Sequence, residues 1–373
     1  MRVVQVSFYH DRGRREPRVL LEVWRSLTEV AAAVAGTGVE ITVIQAAHQS
    51  ETIQRDGVTY RFVAERRGRA RFPIPPRNLL RAVTSSLPDV VHVQGFGFPV
   101  QTRALAVELP GVPILVQDHA NRPPSGWRRH VYRWGLSPIR GTAFTARAQA
   151  EPFMTARLFG ANLPVFEILE GSSRFSPGEQ SEARERTGVS GDPGLLWVGR
   201  MAEPKDPFTV LDAFARAYRD RDDARLWCCF ESGPLLSRVE ARIASDPVLR
   251  QRVHLVGRVP HEDIEHFMRA ADIFVLASKS EGSGYAAIEA LACGAQPLLS
   301  DIPSFRRITR DGAVGALFPG GDVEALASLL VEWSGADRTG SRERTRAHFE
   351  RFLSYDVIGR ELRHAYETLA ESP

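Results

Sequence analysis

Apolar runs of strand length alternate with segments of helical period along most of the chain, the pattern of βα units and parallel sheets. In the first half the runs predict strands near residues 2–8, 39–44, 58–63, 89–94, 112–117, 142–145 and 165–169. A helix is predicted over 17–35, with Pro17 in its first turn, where a missing N–H costs nothing. The Gly/Ser/Pro-rich stretch "EGSSRFSPGE" then reads as a linker. Beyond it, strands near 194–199, 224–230, 252–256, 272–276, 296–300 and 316–318 alternate with helices near 207–219, 235–245, 261–270, 284–293, 303–309 and 322–333. The tail "SYDVIGRELRHAYETL" predicts one more helix. The fold class expected is α/β, two successive doubly wound Rossmann-like domains, with ligands at the carboxyl ends of strands and in a cleft between the domains.

Length agrees with that division, since 373 residues exceed what one hydrophobic core comfortably holds. At 43 % hydrophobic and 25 % charged the chain has an ordinary globular composition. No run reaches the ~20 apolar residues of a membrane span, "MRVVQVSF" opens as a strand, and three cysteines offer neither a disulfide framework nor metal spacing. A cytoplasmic location is the expectation. The net charge of +3 conceals an asymmetry: residues 1–170 hold 22 Lys+Arg against 14 Asp+Glu, and the remainder holds 26 against 31. A basic first half suits an anionic membrane surface, an acidic substrate or nucleic acid, and equally a plain solvated surface. Of the 48 basic residues only Lys205 and Lys279 are lysines.

Two motifs carry chemistry. In "SKSEGSGYAAIEALACGAQPLLSD" (278–301) a buried strand ends at Ser278, and a glycine turn leads into a helix from Tyr285 that Gly294 terminates. At such a strand-to-helix turn the first helical N–H groups and the helix dipole favour an anion. Gly282 and Gly284 let the backbone approach it closely. Glu289, one turn into the helix, is placed to accept ribose hydroxyls beyond a diphosphate; Glu281 precedes the turn and faces whatever lies past the phosphates. In "LLWVGRMAEPKDP" (195–207) a strand ends at Gly199, and Arg200 and Lys205 follow at its carboxyl end, a planar fork and a movable point charge for a diphosphate. Each group alone reads as an exposed loop or helix residue; the combination is what points to a site.

The order "VGRMAEPKDP", "FESGP", then "VHLVGRVPHEDIEHFMRAADIFVLASKSEGSGYAAIEALACGAQPLLSD" resembles the nucleotide-binding half of retaining GT-B glycosyltransferases of the large family 4, whose signature is two glutamates separated by seven residues, here Glu281 and Glu289. The likeness is strong over about 190–335 and thinner in the first half, where "DVVHVQG", "ILVQDHA" and "FEILEGSSRFSP" resemble the family's strands and inter-domain link. It implies a GT-B fold of two Rossmann-like domains facing across a deep cleft: an acceptor-side domain 1–170, a linker 171–178, a donor domain 179–353, and a last helix, about 354–371, packing back on the first domain. It implies that Arg200 and Lys205 hold the donor diphosphate and stabilise its departure, Glu289 binds the ribose, and Glu281 contacts the donor sugar. Gly199 and the amides around Ser283, Gly284 and Tyr285 would lie at the phosphates and sugar, and Val259 where the nucleobase rests. His119 in "QDHA" would hydrogen-bond the donor sugar. Such enzymes retain anomeric configuration and need no cofactor and no metal, because fixed cations assist the leaving group. The co-substrate would be a nucleotide-diphosphate sugar.

Three departures bear on the acceptor. The family's glycine pair after the first strand is reduced to Gly13 among arginines, so Gly13, Arg14 and Gly95 are acceptor-side candidates and an anionic or lipid-linked acceptor is expected. Glu170 stands before Gly171 where the family has Asn, and Asp206–Pro207 follow Lys205 where it has glycine. The lost pair keeps open a degenerate sugar-nucleotide binder without turnover, and the same fold also serves sugar-nucleotide epimerases. Elsewhere, "GFGFPV" lacks the third glycine of a dinucleotide fingerprint. "DRD" (220–222) falls in a polar turn, not a metal site, and His92 inside a strand reads as a core histidine. The arginine-rich stretches 65–81 and 121–134 are expected as loops around the acceptor with peripheral membrane contact at the inner face. No motif for specific nucleic-acid recognition is present.

Overall fold

The structure, a computed structural model, describes residues 1–65, 76–160, 162–335 and 338–371. The chain divides into two compact units, 1–171 with 355–373 and 172–354. In the first unit a sheet of eight strands runs β3 (Glu51–Arg55), β4 (Val58–Ala64), β2 (Glu40–Ala47), β1 (Arg2–Ser7), β5 (Val90–Gln94), β6 (Ile114–Gln117), β7 (Gly141–Phe144), β8 (Val165–Glu167). All neighbours are parallel except β3 and β4. The second unit's sheet is parallel throughout, in the order β11 (Val253–Gly257), β10 (Arg225–Glu231), β9 (Gly194–Arg200), β12 (Ile273–Leu276), β13 (Gln296–Ser300), β14 (Ala316–Phe318).

Strands buried on both faces are largely apolar. β12 (IFVL), β6 (ILVQ) and most of β9 are buried from end to end for that reason. In each sheet the strand order reverses once along the chain, between β1 and β5 and between β9 and β12. Loops leaving those neighbouring strands part to opposite faces and open a crevice at the carboxyl edge, which is where ligands bind in doubly wound sheets.

Helices flank both sheets. The predicted 17–35 helix is broken at Trp24 (φ −95°, ψ 60°) into Pro17–Val23 and Arg25–Ala35. The last helix, Tyr355–Glu371, belongs to the first unit and packs on Arg25–Ala35, where a Cβ on Gly359 would stand 2.5 Å from the Ala33 carbonyl oxygen. Its Tyr366 hydroxyl meets His92 Nδ1 at 2.8 Å and accepts from Gln5 Nε2 at 3.2 Å. His92 is thus a bonded core residue, and burial pushes its pKa down to about 3, so the ring is neutral at physiological pH.

Part of the expected loop at 121–134 is a helix, Arg128–Leu136, and part of 65–81 is one too, Arg77–Thr84. The rest of that second stretch, 66–75, lies outside the described residues. Prolines precede both helices and obscure their periodicity, but each has an apolar contact. Gly135 lets one helix close on another (a Cβ would sit 2.4 Å from Pro99 O), and Leu79, Leu80 and Val83 are buried. A further helix, Arg338–Phe352, is so rich in arginine that no apolar stripe announces it. It docks through polar groups instead, Thr345 on Gln296 and Arg342 on the Ala271 and Arg269 carbonyls.

Candidate active site

At the carboxyl end of β9 the chain passes through Arg200, which is exposed, into a 3₁₀ turn, Glu203–Lys205. Asp206 then takes a left-handed conformation (φ 42°) and accepts a hydrogen bond from Thr209 Oγ1 at 2.9 Å, and Pro207 starts the next helix. The Asp–Pro pair that replaces the family's glycine therefore fixes the loop. Gly199 lies beneath it, since a Cβ there would be 3.6 Å from Lys205 Cδ and 3.2 Å from the Trp197 ring.

The neighbouring strand β12 delivers the second motif to the same place. Lys205 Nζ donates to Glu281 Oε1 at 2.5 Å, and Ser278 Oγ donates to the same oxygen at 2.7 Å. Lys279 N–H binds the Pro204 carbonyl at 2.8 Å, stitching the two loops together through the backbone. Gly284 has φ +74°, and a Cβ there would stand 2.8 Å from Phe305 Cε1, so only glycine fits the turn into the helix Tyr285–Ala292. Ser283 is buried and Tyr285 half exposed at the positive end of that helix. Gly294 has φ +80° just past its end, as the sequence predicts.

Glu289, with 12 % of its side chain exposed, meets His261 Nε2 at 2.7 Å through Oε1. The His261 ring lies 5.1 Å from that of Phe175. Val259, half-buried, precedes it by two residues in the loop after β11. His261 escaped the sequence reading; its only signal was its place in "RVPHED", where it starts a helix.

The first unit brings its own candidates together at the carboxyl edge of its sheet. His119 Nδ1 is 2.7 Å from Glu170 Oε2 and its Nε2 2.7 Å from Gln94 Oε1. Gly95 (φ +91°) lies alongside, a Cβ there falling 3.9 Å from His119 and 3.7 Å from Asn121 Oδ1. Glu170, a departure from the family's Asn, thus serves as the partner of His119. These residues border a cavity of about 390 Å³ lined also by Gln5, Gln45 and Gln117. The glutamines were not read from the sequence, although each directly follows an apolar residue of its strand. Gly13 and Arg14 are not among the lining residues; they form a turn closed by Arg15, whose guanidinium binds Asp11 at 2.7 Å and holds that carboxyl down at about 2.

Asp118, beside His119, is 9 % exposed, and burial followed by the nearby Glu170 charge pushes its pKa up to about 6 from 3.8. Its Oδ1 accepts the Asn121 N–H at 2.9 Å, which lessens the shift. A carboxyl raised in the folded state contributes stability below its unfolded pKa and loses it as pH rises through the folded value. The ionised form is therefore a burden of up to about 3 kcal/mol above pH ~6. Asp118→Asn, which keeps the Oδ1 acceptor, is expected to melt higher than wild type at pH 8, by about 1–3 kcal/mol. That advantage should vanish below pH ~4, and an equal advantage at both pH values would reject the buried-charge account.

Two doubly wound units, one carrying paired loop cations and acids at a glycine turn, define an α/β protein of the kind that binds ligands at the carboxyl edge of its sheets. Residues 179–347 match the family of glycosyl transferases group 1, and residues 23–151 match glycosyltransferase family 4. The chain belongs to the GT-B glycosyltransferases of family 4. It is 27 % identical, over 96 % of its length and 90 % of the relative's, to GDP-mannose:cellobiosyl-diphosphopolyprenol alpha-mannosyltransferase of Xanthomonas campestris. It is 33 % identical over 48 % of its length, and 47 % of the relative's, to phosphatidyl-myo-inositol mannosyltransferase of Mycobacterium leprae. Sucrose-phosphate synthase of Thermosynechococcus elongatus shares the fold across 99 % of both chains, with a TM-score of 0.70 at 17 % identity. A glycosyltransferase of Rickettsia africae does so over 100 % of this chain and 99 % of its own, at 0.74 and 14 %. Among the described residues no cluster of three or more His, Cys, Asp or Glu could hold a metal ion, and no helix is long and apolar enough to cross a membrane.

Proposed function

We propose that this glycosyltransferase moves a mannosyl-type sugar from a nucleoside-diphosphate donor to a lipid-linked acceptor with retention of anomeric configuration. The observation that carries the reading is the direct contact of Lys205 with Glu281, 2.5 Å, at the strand-order reversal of the second sheet. There a cation for the diphosphate and an acid for the sugar share one crevice with the N-terminal end of the Tyr285–Ala292 helix. The relatives' donors and acceptors supply the sugar and lipid: GDP-mannose and a diphosphopolyprenol-linked glycan in one, phosphatidylinositol in another.

In this mechanism Arg200, Lys205 and the amides of Ser283, Gly284 and Tyr285 surround the diphosphate and lower the energy of the charge that gathers on it as the glycosidic bond breaks. The acceptor hydroxyl forms its bond to the anomeric carbon on the face the diphosphate leaves, and its proton passes to a diphosphate oxygen. No enzyme carboxylate attacks carbon, so Glu281 positions the sugar and Lys205. Glu289 holds the ribose, Val259 lies against the base, and His119 contacts the donor sugar. The reading needs no metal, because Arg200 and Lys205 supply positive charge for the departing diphosphate. The protein would work at the inner face of the membrane, through peripheral contact of its basic first half.

A thermal-shift series with GDP, UDP and ADP in EDTA tests the donor site, since a ligand that binds only the folded state raises Tm by mass action. GDP should give the largest shift, and GDP-mannose turnover should give an α-linked product by NMR. A silent series, or a β-linked product, would overturn the donor or the stereochemistry respectively.

A further inference from the structure

The cavity of the first unit carries chemistry that the family likeness does not specify. Four glutamines line it: Gln45 from β2, Gln5 from β1, Gln94 from β5 and Gln117 from β6. The amide orientation of Gln45 is determined, because its Nε2 donates to the Tyr9 carbonyl at 2.5 Å and the Ala46 carbonyl at 3.0 Å. A flipped amide would set oxygen against two oxygens. Its Oε1 is consequently buried with no partner, and Gln5 Oε1 is in the same state, its Nε2 being used on Tyr366. A buried acceptor left unmade costs about 1–3 kcal/mol, so two in one cavity mark a place where a hydroxyl-bearing guest restores bonds.

The lining also excludes a class of guest. Among the described side chains neither lysine nor arginine lines it; the ionisable groups described there, apart from Tyr9, are His119 and Glu170, already paired at 2.7 Å. A phosphate would face the Glu170 carboxylate there. One wall is apolar and aromatic, formed by Trp24 at the helix break with Tyr9 tilted against it, ring centroids 5.9 Å apart, and by Phe98. Aromatic faces beside polar amides suit a ring with C–H faces and hydroxyl edges.

We infer that this cavity takes a neutral sugar ring of the acceptor, seated on Trp24 and hydrogen-bonded by Gln5 and Gln45, and that it discriminates against a phosphorylated ring. The word acceptor rests on the glycosyl-transfer reading; the preference for a neutral ring does not. It replaces the anionic acceptor expected from Gly13 and Arg14 with a neutral end on a molecule whose lipid diphosphate lies elsewhere.

Saturation-transfer NMR on the full wild-type chain tests this without turnover, using methyl β-cellobioside, methyl α-mannoside, glucose 6-phosphate and inositol 3-phosphate as probes. At least one neutral glycoside should bind saturably, at least tenfold tighter than either phosphate. Gln45→Met and Trp24→Ala should each weaken it at least tenfold while leaving GDP affinity, read in the other unit, unchanged. Tighter binding of a phosphate, binding of none of the four, or glycoside binding indifferent to both substitutions would overturn the inference. Should a variant misfold, as lost GDP binding would reveal, the wild-type ranking still decides. Loss of GDP binding by the wild-type protein with the glycoside ranking intact would sink the donor reading and leave the cavity's preference standing.

Discussion

Lys205→Ala is expected to lower kcat by about 10²–10³-fold, the usual loss when one preorganised donor to developing negative charge is removed. In the structure this side chain is 24 % exposed and its ammonium lies 2.5 Å from Glu281, on a loop fixed by Asp206 and Pro207. Its position is thus set before any donor arrives, which is the condition for electrostatic preorganisation. Glu281→Gln provides the complementary case: it frees Lys205 from its partner, so diphosphate binding should tighten or hold while turnover falls. Steady-state kcat and Kd for GDP, measured on both variants, separate the roles. Near-normal turnover of Lys205→Ala would remove the lysine from the chemistry. A loss confined to KM would make it a binding group only.

Glu289→Ala should raise the Kd of the nucleoside diphosphate about 10–100-fold, the effect of losing hydrogen bonds to a charged acceptor worth about 1.5–3 kcal/mol. The kcat at saturating donor should stay within a few-fold, because the ribose is remote from the breaking bond. A 2′-deoxy nucleotide makes the assignment specific. It should bind wild type more weakly than the ribonucleotide and bind Glu289→Ala equally well, since the removed groups are partners. His261→Ala, which removes the 2.7 Å contact on Oε1, should produce a smaller loss by freeing the carboxylate to turn. Equal discrimination against the deoxy nucleotide in wild type and Glu289→Ala would take the ribose away from Glu289.

Most of the architecture was legible in the chain because doubly wound sheets are written in apolar runs. β12 has no water on either face, so its residues could be little else than apolar. The edge strand β3 was not read, since one flank faces solvent and its residues (ETIQR) are mostly polar. The helix Arg338–Phe352 was missed for a related reason: arginines and threonine reaching backbone carbonyls and Gln296 replace the apolar stripe by which helices are recognised. At the candidate site the glycine turn, its two acids and the two cations were visible as residue types at meaningful spacing. The Lys205–Glu281 contact spans 76 residues and exists only because β9 and β12 are neighbours.

By itself, then, the sequence determined the class of fold, the strand-to-helix turn that only Gly284 can make, and the charged groups available for a diphosphate. Those are local properties, settled by periodicity, φ and charge. Tertiary structure alone decided that glutamines from four separate strands converge, that Trp24 breaks its helix beside them, and that a carboxylate, Glu170, borders the cavity they form. Parallel register sets Ser7 beside Gln45 and Gln94 beside Gln117. Which polar ends of buried strands come to share a crevice depends on strand order, and strand order is a property of the packed sheet, not of any one segment.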